Sequence, residues 1–207
     1  MLKIWGRNTS INVQKAMWAV GELKLPHERI DIGGTFGKNN EAAYLAMNPN
    51  GLVPTLEEDG FLLWESNSIV RYLAAKYGAG SLEPADLRVR ASASRWMDWQ
   101  LTVCAPAIHP VFWGLIRTPP EKRDHAAINA AKEKMAGVMK ILDAQLGKTA
   151  HVAGDAFSMG DIPVGLIAYR YRRLVPERPA FANIERWFAG LEQRAAFKEH
   201  VLAIPFT

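Results

Sequence analysis

Asn48-Pro49-Asn50-Gly51-Leu52-Val53-Pro54-Thr55-Leu56-Glu57-Glu58-Asp59-Gly60-Phe61-Leu62-Leu63-Trp64-Glu65-Ser66 is the stretch on which the reading of this chain turns. Two turn signals, Asn48 to Gly51 and Glu58 to Gly60, bracket a short extended run from Leu52 to Leu56. A second run, Phe61 to Trp64, follows at hairpin distance. Glu65-Ser66 then precedes a helical pattern. With a cis Val53-Pro54 peptide, Val53 would present its backbone N–H and C=O sideways, as a strand edge does to an added peptide. The helix from Ser66 would offer unpaired N–H groups to a carboxylate. On these residues alone the plainer reading, an ordinary hairpin followed by a capped helix, comes first.

Upstream, Leu2 to Trp5 reads as a strand and Gly6-Arg7-Asn8-Thr9-Ser10 as a polar turn. Val13, Ala16, Met17 and Val20 then fall at i, i+3, i+4 and i+7, the signature of a helix with one buried face. Leu25-Pro26 stops that helix, and His27 to Ile32 gives a second strand, so a parallel crossover is expected. The loop Gly33-Gly34-Thr35-Phe36-Gly37-Lys38 has neither the Gly-Lys-Ser/Thr ending of a phosphate loop nor G-x-G-x-x-G spacing, which argues against a nucleotide. A short helix from about Asn40 to Met47 leads into the opening stretch. Beyond Ser66, a helical face of Ile69, Tyr72, Leu73 and Tyr77 ends at Gly78 and Gly80.

From there the strand signals vanish. A first domain over 1–78, a linker over 79–84 and a helical domain over 85–207 are expected. One long helix runs from about Pro84 to Leu115, with Trp96, Trp99 and Val103 on one face and Pro106 and Pro110 kinking or interrupting it. Thr118, Pro119 and Glu121 read as a capping box with proline at the first helical position. Met135, Val138, Met139, Leu142 and Leu146 fall at helical spacing and read as core. Ser158 and Asp161 have capping-box spacing, with Phe157 and Ile162 as a hydrophobic staple, so Asp161 reads as structural. Two last helices follow, one around Ile184 to Leu191 and a shorter one from Ala195 to Leu202.

The 207 residues and 49% hydrophobic content suit a folded core. A net charge of +4 is mild, and Lys and Arg are spread along the chain, which argues against nucleic acid. No window approaches the ~20 apolar residues of a bilayer span, and Met1 to Arg7 turns polar too soon for a signal peptide. The lone Cys104 allows no internal disulfide. A soluble cytoplasmic protein is expected, with no membrane contact.

The order of these features is specific: a polar turn after strand one, Asn-Pro-x-Gly-x-Val-Pro-x-Leu, Glu-Ser before a helix, then Ser-Met-Gly-Asp-Ile in an all-helical half. It resembles the cytosolic glutathione transferases over almost the whole chain. The resemblance implies an α/β thioredoxin-like N-terminal domain followed by an all-α helical bundle, a homodimer, glutathione as co-substrate and no metal. It makes Pro54 the cis-proline and gives Val53 the cysteinyl backbone of glutathione. Glu65 and Ser66 would take the γ-glutamyl ammonium and carboxylate, and Lys38 and Asn39 the glycyl carboxylate. The turn is similar to that of serine-type members, which makes Ser10 the residue that touches the sulfur. Asn8, Thr9 and Asn12 stay as rivals, since the turn has neither tyrosine nor cysteine and has Asn12 where many members have proline. Phe112, Trp113 and Leu115 would line a pocket for a small, partly apolar electrophile, with Cys104 a further candidate that reads first as a small buried residue. The implied activity is conjugation of the glutathione thiolate, with disulfide or peroxide reduction on the same site, or a non-catalytic binding module, as alternatives.

Overall fold

The structure, a computed structural model, describes residues 1–207. Contacts divide the chain into two units, Met1–Ala85 with Gln193–Thr207, and Asp86–Glu192. The first is the thioredoxin-like α/β unit. Leu2–Trp5 forms β1, Ile11–Glu22 α1, His27–Ile30 β2, Ala42–Leu45 α2, Thr55–Glu58 β3, Phe61–Trp64 β4 and Ser66–Tyr77 α3. The sheet order is β2-β1-β3-β4. β1 runs parallel to β2 through the α1 crossover, with Leu2 opposite His27, and antiparallel to β3, with Ile4 opposite Leu56.

Period-2 alternation places Leu2 and Ile4 in the core. α1 buries Val13, Ala16, Met17 and Val20 as its spacing predicts, and packs against α3, which contributes Ile69, Val70 and Leu73. Each such aliphatic side chain stabilises the fold by about 1.5–3 kcal/mol. The hairpin differs from its sequence reading in one respect: β3 begins at Thr55, not Leu52. Pro54 has no N–H to give a ladder, and Val53-Pro54 is a cis step that stays outside it. At the far end of β3, the Glu58 carboxyl accepts hydrogen bonds from Lys76 Nζ at 2.8 Å and from the hydroxyls of Tyr72 and Tyr77. Burial alone would raise its pKa; these bonds prevail and hold it at about 2.

The second unit is helical: Leu87–Trp99 is α4, Ala105–Phe112 α5, His125–Leu146 α6, Asp161–Leu174 α7 and Ala182–Gln193 α8. The helix expected over 84–115 forms, but Gln100–Cys104 and Trp113–Arg117 wind as π turns. Ala105 N–H reaches back to Gln100 C=O, which fits the wider winding just ahead of Pro106, a residue with no N–H to donate. Gln100 and Cys104 are buried there, whereas Val103, expected on one face with the buried Trp96, is 37% exposed.

The expected capping box at Thr118 does not form. Pro119 precedes Pro120, and a residue before proline is driven out of the helical region; Pro119 is extended at φ −53°, ψ 143°. Pro120–Lys122 makes a single 3-10 turn, Thr118 Oγ1 bonds Trp113 C=O, and α6 starts at His125, where Asp124 accepts from Ala127 N–H at 2.9 Å.

The Ser158 and Asp161 box forms in one half: the Asp161 carboxylate reaches back to Ser158, while the Ser158 hydroxyl accepts from Gly160 N–H at 3.3 Å and Asp161 N–H donates to Ser158 C=O. Ser158 N–H donates to Asp161 Oδ2 at 2.9 Å, and Val152 N–H and Trp187 Nε1 donate to Oδ1 at 3.1 and 2.9 Å. Asp161 is wholly buried.

Gln193–Thr207 packs with the first unit. It holds a one-turn helix α9, Ala195–Phe197, and a π turn, Lys198–Leu202. Phe197 lies 4.5 Å from Trp18 of α1, and Arg194 grips Glu22 with two bonds of 2.7 and 2.6 Å. No helix of the chain is long and apolar enough to cross a membrane.

Candidate functional site

The turn ahead of β3 and the first turn of α3 border a cleft of about 50 Å³, lined by Asn12, Asn50, Val53, Pro54, Glu65 and Ser66 among others. Buried polar groups hold the turn. Asn48 Nδ2 and Tyr44 Oη both donate to Leu52 C=O, at 2.8 and 2.7 Å, and Asn48 Oδ1 accepts from Asn50 N–H at 3.1 Å. Gly51 has φ 62°, which favours glycine, and a Cβ there would crowd the Asn39 backbone carbonyl at 3.1 Å. Desolvation raises the Tyr44 pKa, which keeps its hydroxyl a donor. None of these bonds engages Val53, whose N–H and C=O have no partner in the chain.

Glu65 sits at φ 70°, ψ 109°, a left-handed conformation that costs a non-glycine residue about 1–3 kcal/mol. It occupies the N-cap position of α3 without capping it, and its exposed carboxylate makes no hydrogen bond. Ser66 is 7% exposed, with Oγ 3.4 Å from both Asn12 Oδ1 and Lys15 Nζ. The first N–H groups of a helix lack internal acceptors and carry partial positive charge. The buried Lys15 ammonium adds to it. A carboxylate beside Ser66 and an ammonium beside Glu65 are the ligand groups this charge pattern favours.

The four turn candidates separate in space. Ser10 is the N-cap residue of α1, extended at φ −78°, ψ 122°, and its hydroxyl makes no capping bond. Asn12 lines the cleft with Val53 and Ser66, while Asn8 lines a different cavity of about 280 Å³ with Gln14, His27 and His200. Thr9 lines neither. Lys38, at φ 63°, is exposed, whereas Asn39 is committed to the turn through Nδ2 to Gly51 C=O at 2.8 Å. In the helical unit Phe112 is buried, Leu115 half-buried and Trp113 54% exposed. Cys104 is fully buried, which pushes its thiol pKa up and keeps it from lining an open surface.

Sequence reasoning missed Lys15 and Tyr44. Lys15 falls among the residues of an amphipathic helix where a charge reads as solvated, and only the helix packing shows it buried. Asn48 was legible as a turn former but not as the buried bond hub it is.

A thioredoxin-like unit that ends in a cis-proline turn and an uncapped helix, with an all-helical unit, defines a class of proteins, and comparison with known proteins agrees. Residues 9–76 match the family model described as Glutathione S-transferase, N-terminal domain, and residues 104–195 match Glutathione S-transferase, C-terminal domain. The chain is 43% identical over 204 residues to Glutathione S-transferase GstB of Escherichia coli strain K12, covering 98% of each. It is 30% identical over 215 residues to Glutathione S-transferase 3 of Zea mays, covering 99% of this chain and 95% of that one. Among solved structures, the theta class glutathione S-transferase of Xanthomonas axonopodis pv. citri with glutathione bound superposes with a TM-score of 0.95 at 42% identity, over 100% and 99% of the two chains. This chain belongs to the glutathione S-transferase family.

Proposed function

We propose that this chain binds glutathione in the cleft at Val53, activates it as a thiolate, and transfers it to a small, partly apolar electrophile. The observation that carries this reading is the unengaged backbone of Val53 beside the uncapped start of α3. Val53 N–H and C=O pair with the cysteinyl backbone, Glu65 takes the γ-glutamyl ammonium, and Ser66 with the α3 N-terminus takes its carboxylate. Pro54 fixes the turn. Lys38 is the group for the glycyl carboxylate, with Asn39 in support through the turn it holds.

A free thiol titrates at about 8.5, and only its thiolate is a strong nucleophile. Ser10 donates its O–H to the sulfur, and the start of α1 adds positive potential. One charge-assisted hydrogen bond of roughly 1.5–3 kcal/mol lowers the thiol pKa by about one to two units. The thiolate then attacks the electrophile and displaces its leaving group or adds to its double bond. Cys104 is buried, so disulfide or peroxide reduction on this site would run through the glutathione thiolate and not through a protein thiol.

The test is Ser10→Ala. It should raise the pKa of bound glutathione by about one to two units and lower turnover of an aryl halide roughly tenfold or more near neutral pH, with glutathione affinity nearly unchanged. An unshifted pH profile would move the role to Asn12, which shares the cleft, ahead of Thr9 and Asn8. Absence of glutathione binding at millimolar concentration in calorimetry would favour the non-catalytic module. Homodimer assembly belongs to the same proposal. β4 is an edge strand with Phe61, Leu62 and Trp64 exposed, an apolar edge that a second copy would cover. The functional division into 1–78, 79–84 and 85–207 and a cytoplasmic, reducing location for the free thiol are parts of it too.

A further inference from the structure

The cavity of about 280 Å³ that Asn8 lines lies within the first unit, bordered by α1, β2 and the C-terminal segment. Gln14 of α1 opens onto it. This side chain is only 7% exposed, yet its amide has no hydrogen-bond partner in the chain. A carboxamide taken out of water without partners is unfavourable, and a native chain keeps one where something else completes it. The Asn8 amide, half-buried in the same cavity wall, is likewise unengaged.

His200 joins them from the π turn Lys198–Leu202, and it sits where only a glycine leaves room: a Cβ on Gly21 of α1 would stand 2.7 Å from its Cδ2. Its Nε2 is 3.8 Å from Glu199 Oε1, too far for a hydrogen bond. Burial lowers the His200 pKa, so at neutral pH the ring is uncharged, with one donor and one acceptor nitrogen. His27 lies 6.2 Å from His200, ring to ring, and its Nδ1 donates to Leu25 C=O at 2.9 Å. The charges nearby are already met. Arg29 of β2 gives its guanidinium to both Asp31 carboxylate oxygens and to Gly6 C=O at 3.0 Å, and the Glu199 side chain is 73% exposed to water. An ion drawn inside would find no free counter-charge, whereas a neutral ligand avoids that cost.

Met17 and Ile204 add apolar surface. The volume falls just under the ~300–1,000 Å³ of pockets for drug-sized ligands, so the occupant is small. A carboxamide sets a C=O beside an N–H, and a ring lactam presents the matching N–H beside a C=O, so the two close a pair of hydrogen bonds. We infer that the first unit binds a small neutral heterocyclic lactam, its N–H and C=O edge on Gln14, its other polar atoms on Asn8 and His200, and its ring against Met17 and Ile204. The inference uses no residue of the Val53 cleft and does not depend on the glutathione reading.

The experiment is an NMR titration of the full chain with uracil. The controls are 1,3-dimethyluracil, which keeps the ring and loses both N–H groups, and orotate, which adds a carboxylate. Uracil should move the Gln14 side-chain amide signals and bind at least tenfold tighter than 1,3-dimethyluracil, with orotate no tighter than uracil. Gln14→Leu keeps the side chain's size and removes its polar pair, so uracil should weaken roughly tenfold or more while the unfolding midpoint holds or rises. Ile204→Trp, which fills the cavity from the C-terminal segment, should weaken uracil at least as much, and it decides the matter if Gln14→Leu does not fold. An unchanged affinity in either variant overturns the inference. So does equal binding of uracil and 1,3-dimethyluracil, or no uracil binding at millimolar concentration. Ser66→Ala should leave uracil unaffected; a tenfold loss there would place uracil in the Val53 cleft and overturn the separate site. Tighter binding of orotate would assign the cavity to an anion held by Arg29 and sink the neutral-ligand reading.

Discussion

Two helices of this chain begin with a serine and an acidic residue, and the two starts are built in opposite ways. At α7, Asp161 is wholly buried and accepts from Ser158, Val152 and Trp187, so every oxygen is engaged. At α3, Glu65 is exposed and held in a left-handed conformation, its carboxylate bonded to nothing, while the Ser66 hydroxyl has only two long contacts of 3.4 Å. The local chemistry is the same, and what differs is where the hydrogen-bonding partners lie. One start satisfies itself and fixes a domain. The other leaves its groups for a visitor.

The largest test of this contrast is Asp161→Ala. It orphans three buried N–H groups and should cost roughly 3–5 kcal/mol of stability in urea unfolding, with glutathione affinity of the folded fraction retained. A loss below 1 kcal/mol would break the comparison. Glu65→Gln should do the reverse. Glutathione affinity should fall about ten- to a hundredfold, the equivalent of one charge-assisted bond, while the unfolding midpoint stays in place. A third carboxylate extends the series inside the first unit. Glu58 is engaged like Asp161, and Glu58→Gln should destabilise by roughly 1–2 kcal/mol at pH 7. Its folded pKa of about 2 lies below the ordinary 4.5, so that contribution is complete above 4.5 and drains away as pH falls toward 2. Acid titration of wild type and variant should therefore converge in that window. The smallest effects separate the observed cap of α6 from the expected one: Asp124→Ala should cost about 1 kcal/mol and Thr118→Ala under 0.5.

Much of this was legible in the sequence because the signals were local. Alternation at Leu2 and Ile4, helical spacing at Val13 to Val20, and the reciprocal spacing of Ser158 and Asp161 each specify one element. The glutathione-binding stretch was legible through its order of motifs rather than through any one residue. What stayed hidden depended on geometry that spacing does not encode. Pro119 looked like a helix start because the effect of Pro120 on it overrode a three-residue pattern. The π turns moved Val103 outward, since a period of 3.6 cannot anticipate an extra residue per turn. Asn8 and Asn12 are equivalent on paper, yet they line different cavities. Lys15 was hidden for the same reason, because burial of a lysine is decided by the helix packed over it.

The packing of Gln193–Thr207 on α1 has a consequence for how this chain is made. A ribosome delivers residues in order, and domains fold as units when their parts are available. The sheet, α1 and α3 emerge first, but Phe197 and Arg194, which meet Trp18 and Glu22, emerge only after the helical unit has been synthesised. The unit that holds the cleft is thus begun first and finished last. Until then, a nascent chain carries the Val53 turn on an incomplete support.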